Sequence, residues 1–342
     1  MSTTKKLLDR LESGIVIGAE GYLFELERRG YLKAGAYVPE VVLDHPDAVR
    51  ELHREFLRAG SDVMLAFTYY GHREKMKVIG REDDLEALNR NAVNIAKEIA
   101  AEGDALVAGN ISNTWVYSPD QHEETAPKVR AIFEEQVRWA VEMGVDFVLA
   151  ETIDSYGEAS LALEAVKKFD LPAIVMMASP EEGTRDGLTY PEAFRRLEEQ
   201  GADVVGLNCT RGPSTMMPIV RQIRDAVECY VAAVPVTYRT TSEQPTFQKL
   251  KEPGRERGFP IELDPFEHTR SEMAKFAREA KEIGVNYIGT CCGAGPHHVR
   301  AVAEALGRTV PASRYSPDLS QHEMLGDKVR EHHKSRLDLW KD

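Results

Sequence analysis

Four short stretches of the sequence share one pattern. They are GSDVM at 60–64, GVDFV at 144–148, GADVV at 201–205 and GVNYI at 284–288. In each stretch a glycine ends an amphipathic run and a nearly continuous apolar segment begins. A glycine after an amphipathic run is typical of a helix end, and a continuous apolar run is typical of a buried parallel strand. The repeated unit therefore predicts an α/β fold with a parallel sheet.

The same alternation of strand and helix extends along most of the chain. The predicted strands are 14–19, 62–68, 105–112, 146–151, 173–178, 203–208, 231–238 and 286–291. The predicted helices are 46–59, 83–101, 128–143, 156–169, 191–200, 214–227, 268–283 and 297–306. Eight such units in about 300 residues are typical of a (β/α)8 TIM barrel. The alternative is a doubly wound open sheet, whose usual glycine-rich phosphate loop does not match Gly18-Ala19-Glu20-Gly21 after the first strand.

Two segments fall outside this repeat. We predict a barrel domain over residues 1–310 and a polar C-terminal extension over 311–342. A long polar loop, 239–264, follows strand seven; a loop of that length is usually functional or contacts a partner, and the alternative is a solvated insertion. The extension has a charged helical pattern from Asp327 to Trp340, which either packs on another subunit or frays. The tryptophan among charges favours packing, so we predict a homo-oligomer.

The composition limits the classes of partner. The 342 residues include 43 Lys and Arg against 56 Asp and Glu, for a net charge of −13. An acidic chain is not expected to bind nucleic acid or an anionic membrane. No apolar run approaches the ~18 residues that span a bilayer, and the polar N-terminus does not resemble a signal peptide. We therefore predict a cytoplasmic enzyme that acts on small molecules.

Three of the four cysteines follow predicted strands. Cys209 ends strand six in VVGLNC, and Cys291 and Cys292 end strand eight in YIGTCCG. Because the carboxyl ends of all barrel strands meet at one face, the three thiols are expected to converge there. Three thiolates with an open fourth position are a good Zn²⁺ site. We predict that Cys229 lies at the opposite end of the barrel as a buried packing residue.

The chemistry of such a site follows from its charge. Three thiolates around Zn²⁺ leave a net negative site, which is a poor Lewis acid for water but suits the binding of a substrate thiol. Zinc lowers the pKa of that thiol, which is normally near ~8.5, and keeps the thiolate nucleophilic. The cysteine pattern therefore predicts S-alkylation. The alternative at this point is that the cysteines are only small buried residues.

Further motifs carry a resemblance to a known family. GLNC and GTCCG, together with GYLKAGAYVPE, HPDAVRELHREFLRAGSDVM, FTYY, AEGDALVAGNIS and IGTCCGAGPHHVRAVAEAL, resemble the homocysteine S-methyltransferase family and its betaine–homocysteine branch. The resemblance extends from about residue 7 to about residue 306. It implies a TIM barrel that holds Zn²⁺ on Cys209, Cys291 and Cys292, with homocysteine and an onium methyl donor as substrates.

The resemblance also implies roles for other residues. Tyr70 of FTYY matches a tyrosine that occupies the fourth position of the zinc until homocysteine displaces it. Glu151 matches the glutamate that binds the amino acid part of homocysteine. A quaternary ammonium donor requires an aromatic pocket, for which Tyr37, Tyr69 and Tyr70 are the candidates. The further substrate-binding candidates beside these positions are Glu20, Gly21, Thr68 and Thr152.

Several positions depart from the family pattern. Ala19-Glu20-Gly21 stands where the branch has Asp-Gly-Gly, Tyr37 replaces a tryptophan, and Thr152 replaces a tyrosine. The tail is also shorter than that of the animal members. These changes concern the substrate pocket and the assembly, and they leave the metal ligands intact. The open alternatives are a donor such as S-methylmethionine or another sulfonium, an acceptor other than homocysteine, and a metal-binding barrel that is not an enzyme.

Overall fold

The computed structural model describes residues 6–254, 258–322 and 325–326. Its sheet has eight parallel strands in the order β1-β8-β7-β6-β5-β4-β3-β2. The strands are β1 Val16–Ala19, β2 Val63–Leu65, β3 Leu106–Ser112, β4 Phe147–Ile153, β5 Ala173–Met177, β6 Val204–Asn208, β7 Tyr230–Val234 and β8 Tyr287–Thr290. Each strand lies beside its sequence neighbours and β1 pairs with β8, which is the order of a TIM barrel. The predicted fold class is confirmed.

The seam between β1 and β2 is joined by one aspartate. The Asp62 N–H donates to the Ile17 carbonyl at 2.8 Å, and the Ile17 N–H donates to the Asp62 carboxylate at 2.7 Å. Arg308 donates to both oxygens of the same carboxylate, at 2.8 and 2.7 Å. These contacts bring the first two strands together, so the barrel is nearly closed.

Two strands, β2 and β7, end three or four residues before their predicted ends, each for a local reason. After Leu65 the Ala66 N–H still bonds to β3, but the Thr68 N–H donates back to the Ala66 carbonyl and turns the chain out of the ladder. β7 stops at Val234 because the next residue, Pro235, has no N–H to donate. Both prediction errors arose from apolar runs that continue beyond the hydrogen-bonded ladder.

Twelve helices are present among the described residues. They are α1 Lys6–Ser13, α2 Tyr22–Arg28, α3 Val41–Asp44, α4 Pro46–Ala59, α5 Arg73–Val78, α6 Leu85–Ala100, α7 His122–Glu142, α8 Tyr156–Lys167, α9 Tyr190–Glu199, α10 Pro213–Arg224, α11 Arg270–Glu282 and α12 Pro296–Ala305. The eight predicted helices are all found. Four further helices, α1, α2, α3 and α5, were not predicted, because they are too short to show a clear helical period. The prediction also started α7 late, because Pro127 lies inside that helix.

The core lies inside the barrel and between the strands and their helices. All residues of β3, β5 and β6 are buried. Burial on both faces explains why these strands are continuously apolar in the sequence. No helix within the described ranges is long and apolar enough to cross a membrane. The predicted helical pattern from Asp327 to Trp340 lies outside the described residues.

A buried histidine, His298, makes the stability of the fold depend on pH. His298 of α12 accepts a hydrogen bond from the Gly295 N–H at 3.2 Å through Nδ1, and its Nε2–H donates to the His268 carbonyl at 2.8 Å. A neutral ring satisfies both contacts, whereas a protonated ring has no acceptor at Nδ1. Burial, aided by the adjacent His297, therefore lowers the pKa of His298 to about 4.

We expect His298→Gln to weaken the pH dependence of stability in acid. In the unfolded chain His298 binds a proton below pH ~6.5, whereas in the folded protein it does so only below about pH 4. The free energy of unfolding therefore decreases as the pH falls from about 6.5 to about 4. In the variant, the slope of the free energy of unfolding against pH should be smaller by up to about 1.4 kcal/mol per pH unit in this range. Urea unfolding of both proteins from pH 4.5 to 7.5 measures the difference, and equal slopes would contradict the assignment.

Candidate active site

Three cysteines meet at the carboxyl end of the barrel. Cys209 directly follows β6, and Cys291 and Cys292 directly follow β8, with β7 lying between these two strands. The Cys209 and Cys292 sulfurs are 3.6 Å apart, and the Cys291 and Cys292 sulfurs are 3.9 Å apart. All three sulfurs lie within 4.8 Å of one another. The predicted convergence of residues from two separated strands is therefore present in the structure.

The spacing of these sulfurs fits a metal ion. Two Zn–S bonds of ~2.3 Å at a tetrahedral angle put their sulfurs about 3.8 Å apart, and the two measured separations lie on either side of that value. Hydrogen bonding from Cys291 and Cys292 lowers the pKa of Cys209 well below its usual range. Without a cation, a second and third thiolate this close to the first would be strongly disfavoured. The donor set therefore fits a thiophilic metal.

Two glycines allow the loops around the three cysteines to pack closely. Gly293 has φ +85°, and a Cβ there would lie 2.5 Å from the Tyr238 ring. Gly21 lies against the same loop, because a Cβ there would be 2.1 Å from the Ala294 carbonyl oxygen. Only glycine fits either position without displacing its neighbour. Gly21, a predicted substrate-binding residue, thus packs the loop after β1 against the cysteine loop.

Two buried carboxylates lie beside the cysteines. An oxygen of Glu20, an oxygen of Glu151 and the Cys291 sulfur lie within 4.8 Å of one another. The three residues line a small inner pocket of about 30 Å³. Neither carboxylate oxygen of Glu20 has a hydrogen-bond partner among the described residues. A buried and unpaired carboxylate is costly, so this pocket is suited to a cationic ligand group.

Glu151 is held rigidly, whereas Glu20 is not. The Asn110 side-chain amide donates to one Glu151 oxygen at 2.7 Å, and the Asn208 amide donates to the other at 2.8 Å. Asn208 also accepts the Thr152 N–H at 2.8 Å. The pairing of β4 with β5 shifts register between Ala150 and Ile153. Such a bulge changes the direction in which side chains point. The sequence predicted that Glu151 ends β4, whereas in the structure Glu151 lies inside this strand.

Burial raises the pKa of both carboxyl groups. The pKa of Glu151 rises to about 7, although the hydrogen bond from Asn110 acts in the opposite direction. The pKa of Glu20 is raised well above its usual range, first by burial and then by the nearby Glu151 carboxylate. A positive charge placed between them would favour the ionised state of both.

A larger outer cavity of about 460 Å³ opens beside the three cysteines. Cys209 and Cys292 lie in its wall, and Thr152 borders both this cavity and the inner pocket. Seven further residues of the wall are aromatic: Phe24, Tyr37, Tyr69, Tyr70, Trp115, Phe247 and Phe259. Such a wall suits a ligand cation, because aromatic faces attract positive charge. The long loop after β7 supplies Phe247 and Phe259, so it is more than a solvated insertion.

Backbone strain is concentrated around this cavity. Eight non-glycine residues in the described ranges have positive φ angles, and six of them line the cavity: Tyr37, Tyr70, Trp115, Thr152, Cys209 and Thr210. Each such residue costs on the order of 1–3 kcal/mol, and this strain is typical of functional sites. The strained positions therefore independently point to the cavity as the functional site.

The structure brings most of the predicted site residues together. Tyr37, Tyr69, Tyr70 and Thr152 line the outer cavity, and Glu20 and Glu151 line the inner pocket. Thr68 lines neither, because its hydroxyl donates to the Asn110 carbonyl at 2.7 Å behind the sheet. The Tyr70 hydroxyl accepts a hydrogen bond from the Trp115 indole at 2.7 Å. Its role as a metal ligand stays a prediction.

Several residues of the site were not predicted from the sequence. They are Lys75, Asn110, Trp115, Asp154, Asn208, Phe247 and Phe259. Asn110 and Asn208 left a usable signal, because each is a polar residue within a buried apolar strand. The others lie on loops or, for Lys75, on the short helix α5, and neither has a clear periodic signal. The half-buried Cys229 precedes β7 at the opposite end of the barrel, as predicted, although it is less buried than expected.

Comparison with known proteins identifies the family. The sequence profile described as "Homocysteine S-methyltransferase" matches residues 18–306. The chain belongs to the homocysteine S-methyltransferase family. The resemblance predicted from GLNC and GTCCG is thereby confirmed, and with it the assignment of the chain as a methyltransferase.

Two relatives and one solved structure show how this family member compares. The betaine–homocysteine S-methyltransferase 1 of Mus musculus is 39% identical over 328 residues, covering 93% of this chain and 78% of that protein. An S-methylmethionine–homocysteine S-methyltransferase of Pongo abelii is 37% identical over 350 residues, covering 98% of this chain and 92% of that protein. The metallated homocysteine methyltransferase MmuM of Escherichia coli superposes with a TM-score of 0.69 at 18% identity, covering 88% of this chain and 99% of that one. That structure supports the fold of this homocysteine S-methyltransferase family member.

Proposed function

We propose that this family member transfers a methyl group from a betaine-type quaternary ammonium donor to the thiol of homocysteine, in a zinc-dependent reaction. The observation that carries the proposal is the position of three sulfurs, spaced for a tetrahedral metal, between two different pockets. The inner pocket is acidic and small, and the outer cavity is aromatic and large. The two substrates differ in the same way, since one carries an amino group and the other an onium group.

The inner pocket suits the amino acid part of homocysteine. Glu151, fixed by Asn110 and Asn208, and the unpaired Glu20 would both face its ammonium group. Glu20 would then serve in place of the aspartate that the family pattern has one position earlier. We propose Glu151 as the orienting group because its position is fixed by two amide donors. We propose Glu20 as a second carboxylate, which would pair with the ammonium once the substrate binds.

Cys209, Cys291 and Cys292 would hold the zinc ion. When bound, zinc supplies the positive charge that lowers the pKa of the acceptor thiol and keeps it as a thiolate. Tyr70 shares the outer cavity with Cys209 and Cys292, and we propose it as the ligand that completes the site before the acceptor arrives. The buried walls exclude water, so the thiolate is not stabilised by hydration.

The outer cavity suits the donor. Tyr37, Tyr69, Tyr70 and Trp115 would surround the onium group with aromatic faces. Transfer is then a direct displacement: a sulfur lone pair forms the S–C bond while the C–N bond breaks, and its electron pair stays on the departing amine. The thiol proton is released to solvent as the acceptor binds, before transfer, and no base acts on carbon. The residues contribute alignment and desolvation.

A sulfonium donor such as S-methylmethionine is the second candidate. One observation favours it: the Asp154 carboxylate lines the outer cavity and would suit a donor that carries its own ammonium group. The Thr152 side chain, small compared with the tyrosine of the family pattern, leaves room for the longer molecule on the same wall.

A donor screen on zinc-loaded protein tests the proposed function. Homocysteine is supplied with glycine betaine, proline betaine, dimethylsulfoniopropionate or S-methylmethionine, and methionine is measured by mass spectrometry. Methionine formed most efficiently from a quaternary ammonium donor supports the proposal, and methionine formed only from sulfonium donors supports the second candidate. No methionine from any donor, with zinc bound, would overturn homocysteine methylation and make the acceptor site around Glu20 the first position to re-examine.

Two statements about the whole molecule remain proposals. We propose a cytoplasmic location, because thiols as close as those of Cys209 and Cys292 need a reducing compartment to stay free. We also propose that residues 311–342 form an extension that packs on a second subunit. The exposed side chains of Tyr315, Leu319 and Leu325 support this, and light scattering of the purified protein tests it by the mass in solution.

A further inference from the structure

Lys75 is an unexpected charge in the aromatic wall of the outer cavity. It lies on α5, and its ammonium nitrogen is 4.1 Å from the centre of the Tyr70 ring and 5.3 Å from that of Trp115. The hydrogen bond from Trp115 to the Tyr70 hydroxyl fixes the two rings relative to each other. The lysine is thus placed by two aromatic contacts at the edge of the donor cavity.

The ammonium of Lys75 has no carboxylate partner in the described parts of the chain. On the same helix Lys77 pairs with Glu74 at 2.7 Å, so the nearby glutamate on α5 already has a partner. Lys75 is half-buried, and burial lowers its pKa. A half-buried cation gains free energy when an anionic ligand group reaches it. Asp154 lines the same cavity but forms no ion pair with Lys75. The ammonium is therefore available to an anionic group of a molecule in the cavity.

We propose that Lys75 binds the carboxylate of a zwitterionic methyl donor and thereby selects betaine-type donors over donors that are only cationic. This inference rests on the proposed function, since it concerns the donor of that reaction. The onium end would lie toward the tyrosines and the sulfurs, and the carboxylate would lie toward Lys75. A donor with no carboxylate would instead bring a second positive charge toward the same ammonium, which is unfavourable. Lys75 is therefore a specificity-determining residue.

Glycine betaine and choline form a suitable pair of probes. Both carry a trimethylammonium group, and they differ mainly in a carboxylate against a hydroxymethyl group. Titration calorimetry on the zinc-loaded protein without homocysteine measures their binding with no turnover. The proteins to compare are the wild type, K75M, K75R and K275M, where K275M removes an exposed lysine of α11 that does not line the cavity.

The wild type is expected to bind glycine betaine more tightly than choline. K75M should weaken glycine betaine about tenfold or more and leave choline unchanged or tighter. K75R should keep the preference for the carboxylate, and K275M should behave as the wild type. Thermal unfolding of each variant checks that K75M is folded, and K75Q provides a second neutral side chain if it is not.

Three outcomes would overturn the inference. Equal weakening of both probes in K75M would mean that the lysine only supports the Tyr70 and Trp115 rings. Equal tightening would mean that it only occupies the site of the onium group. A wild type that binds both probes equally, or neither, would show no carboxylate recognition. Failure of the proposed function is separate, because it would appear as no methionine from any onium donor in the wild type.

Discussion

Replacement of Cys292 by alanine is expected to remove both the metal and the activity. The Cys292 sulfur lies 3.6 Å from the Cys209 sulfur and 3.9 Å from the Cys291 sulfur, so it is close enough to share one metal ion with both. Its loss leaves two thiolates and widens the site, which should reduce zinc from about one ion per chain to near zero after dialysis against a chelator. Without that positive charge the acceptor thiol stays mostly protonated, and turnover should fall by about three orders of magnitude.

Cys229→Ala provides the matched control for this prediction. Cys229 is half-buried and precedes β7, at the opposite end of the barrel from the other three cysteines. It should keep its zinc and its activity. Zinc content is measured by plasma mass spectrometry on both variants alongside the rate of methionine formation. A Cys292→Ala protein that keeps full activity without metal would refute the zinc mechanism.

The second large effect is expected from Glu151→Gln. The substitution removes the charge that would face the homocysteine ammonium. It also replaces one of the two oxygens that accept from Asn110 and Asn208 with an NH2 group, which cannot accept a hydrogen bond. Loss of a charge-assisted contact of this kind should lower kcat/KM for homocysteine about 100-fold, mainly through KM. Steady-state kinetics at saturating donor measure this change.

A substrate without the amino group separates recognition from misfolding. 4-Mercaptobutyrate has the thiol and carboxylate of homocysteine but no ammonium, so Glu151→Gln should leave its weak turnover nearly unchanged. Glu158→Gln is the protein control. Glu158 lies on α8, is also buried and accepts hydrogen bonds from Thr114, but it lines neither pocket. An equal loss for both substrates would mean that Glu151 supports the structure and does not recognise the amine.

The sequence determined the fold and the convergence of the three cysteines because both depend on local patterns combined with one topological rule. The alternation of apolar strands and amphipathic helices predicted the eight units, and a residue after a barrel strand must lie at the carboxyl face. Cys209, Cys291 and Cys292 could therefore be brought together without knowing any distance. The same argument placed Cys229 at the other end.

Only the tertiary structure decided how the two pockets are built. The bulge that aims Glu151, the amides of Asn110 and Asn208 that hold it, and the left-handed backbone around the outer cavity depend on contacts between distant segments. Phe247 and Lys75 reach the cavity from a loop and a short helix that have no periodic signal. Local sequence preferences cannot determine such placements, because strained conformations exist only where the surrounding packing stabilises them.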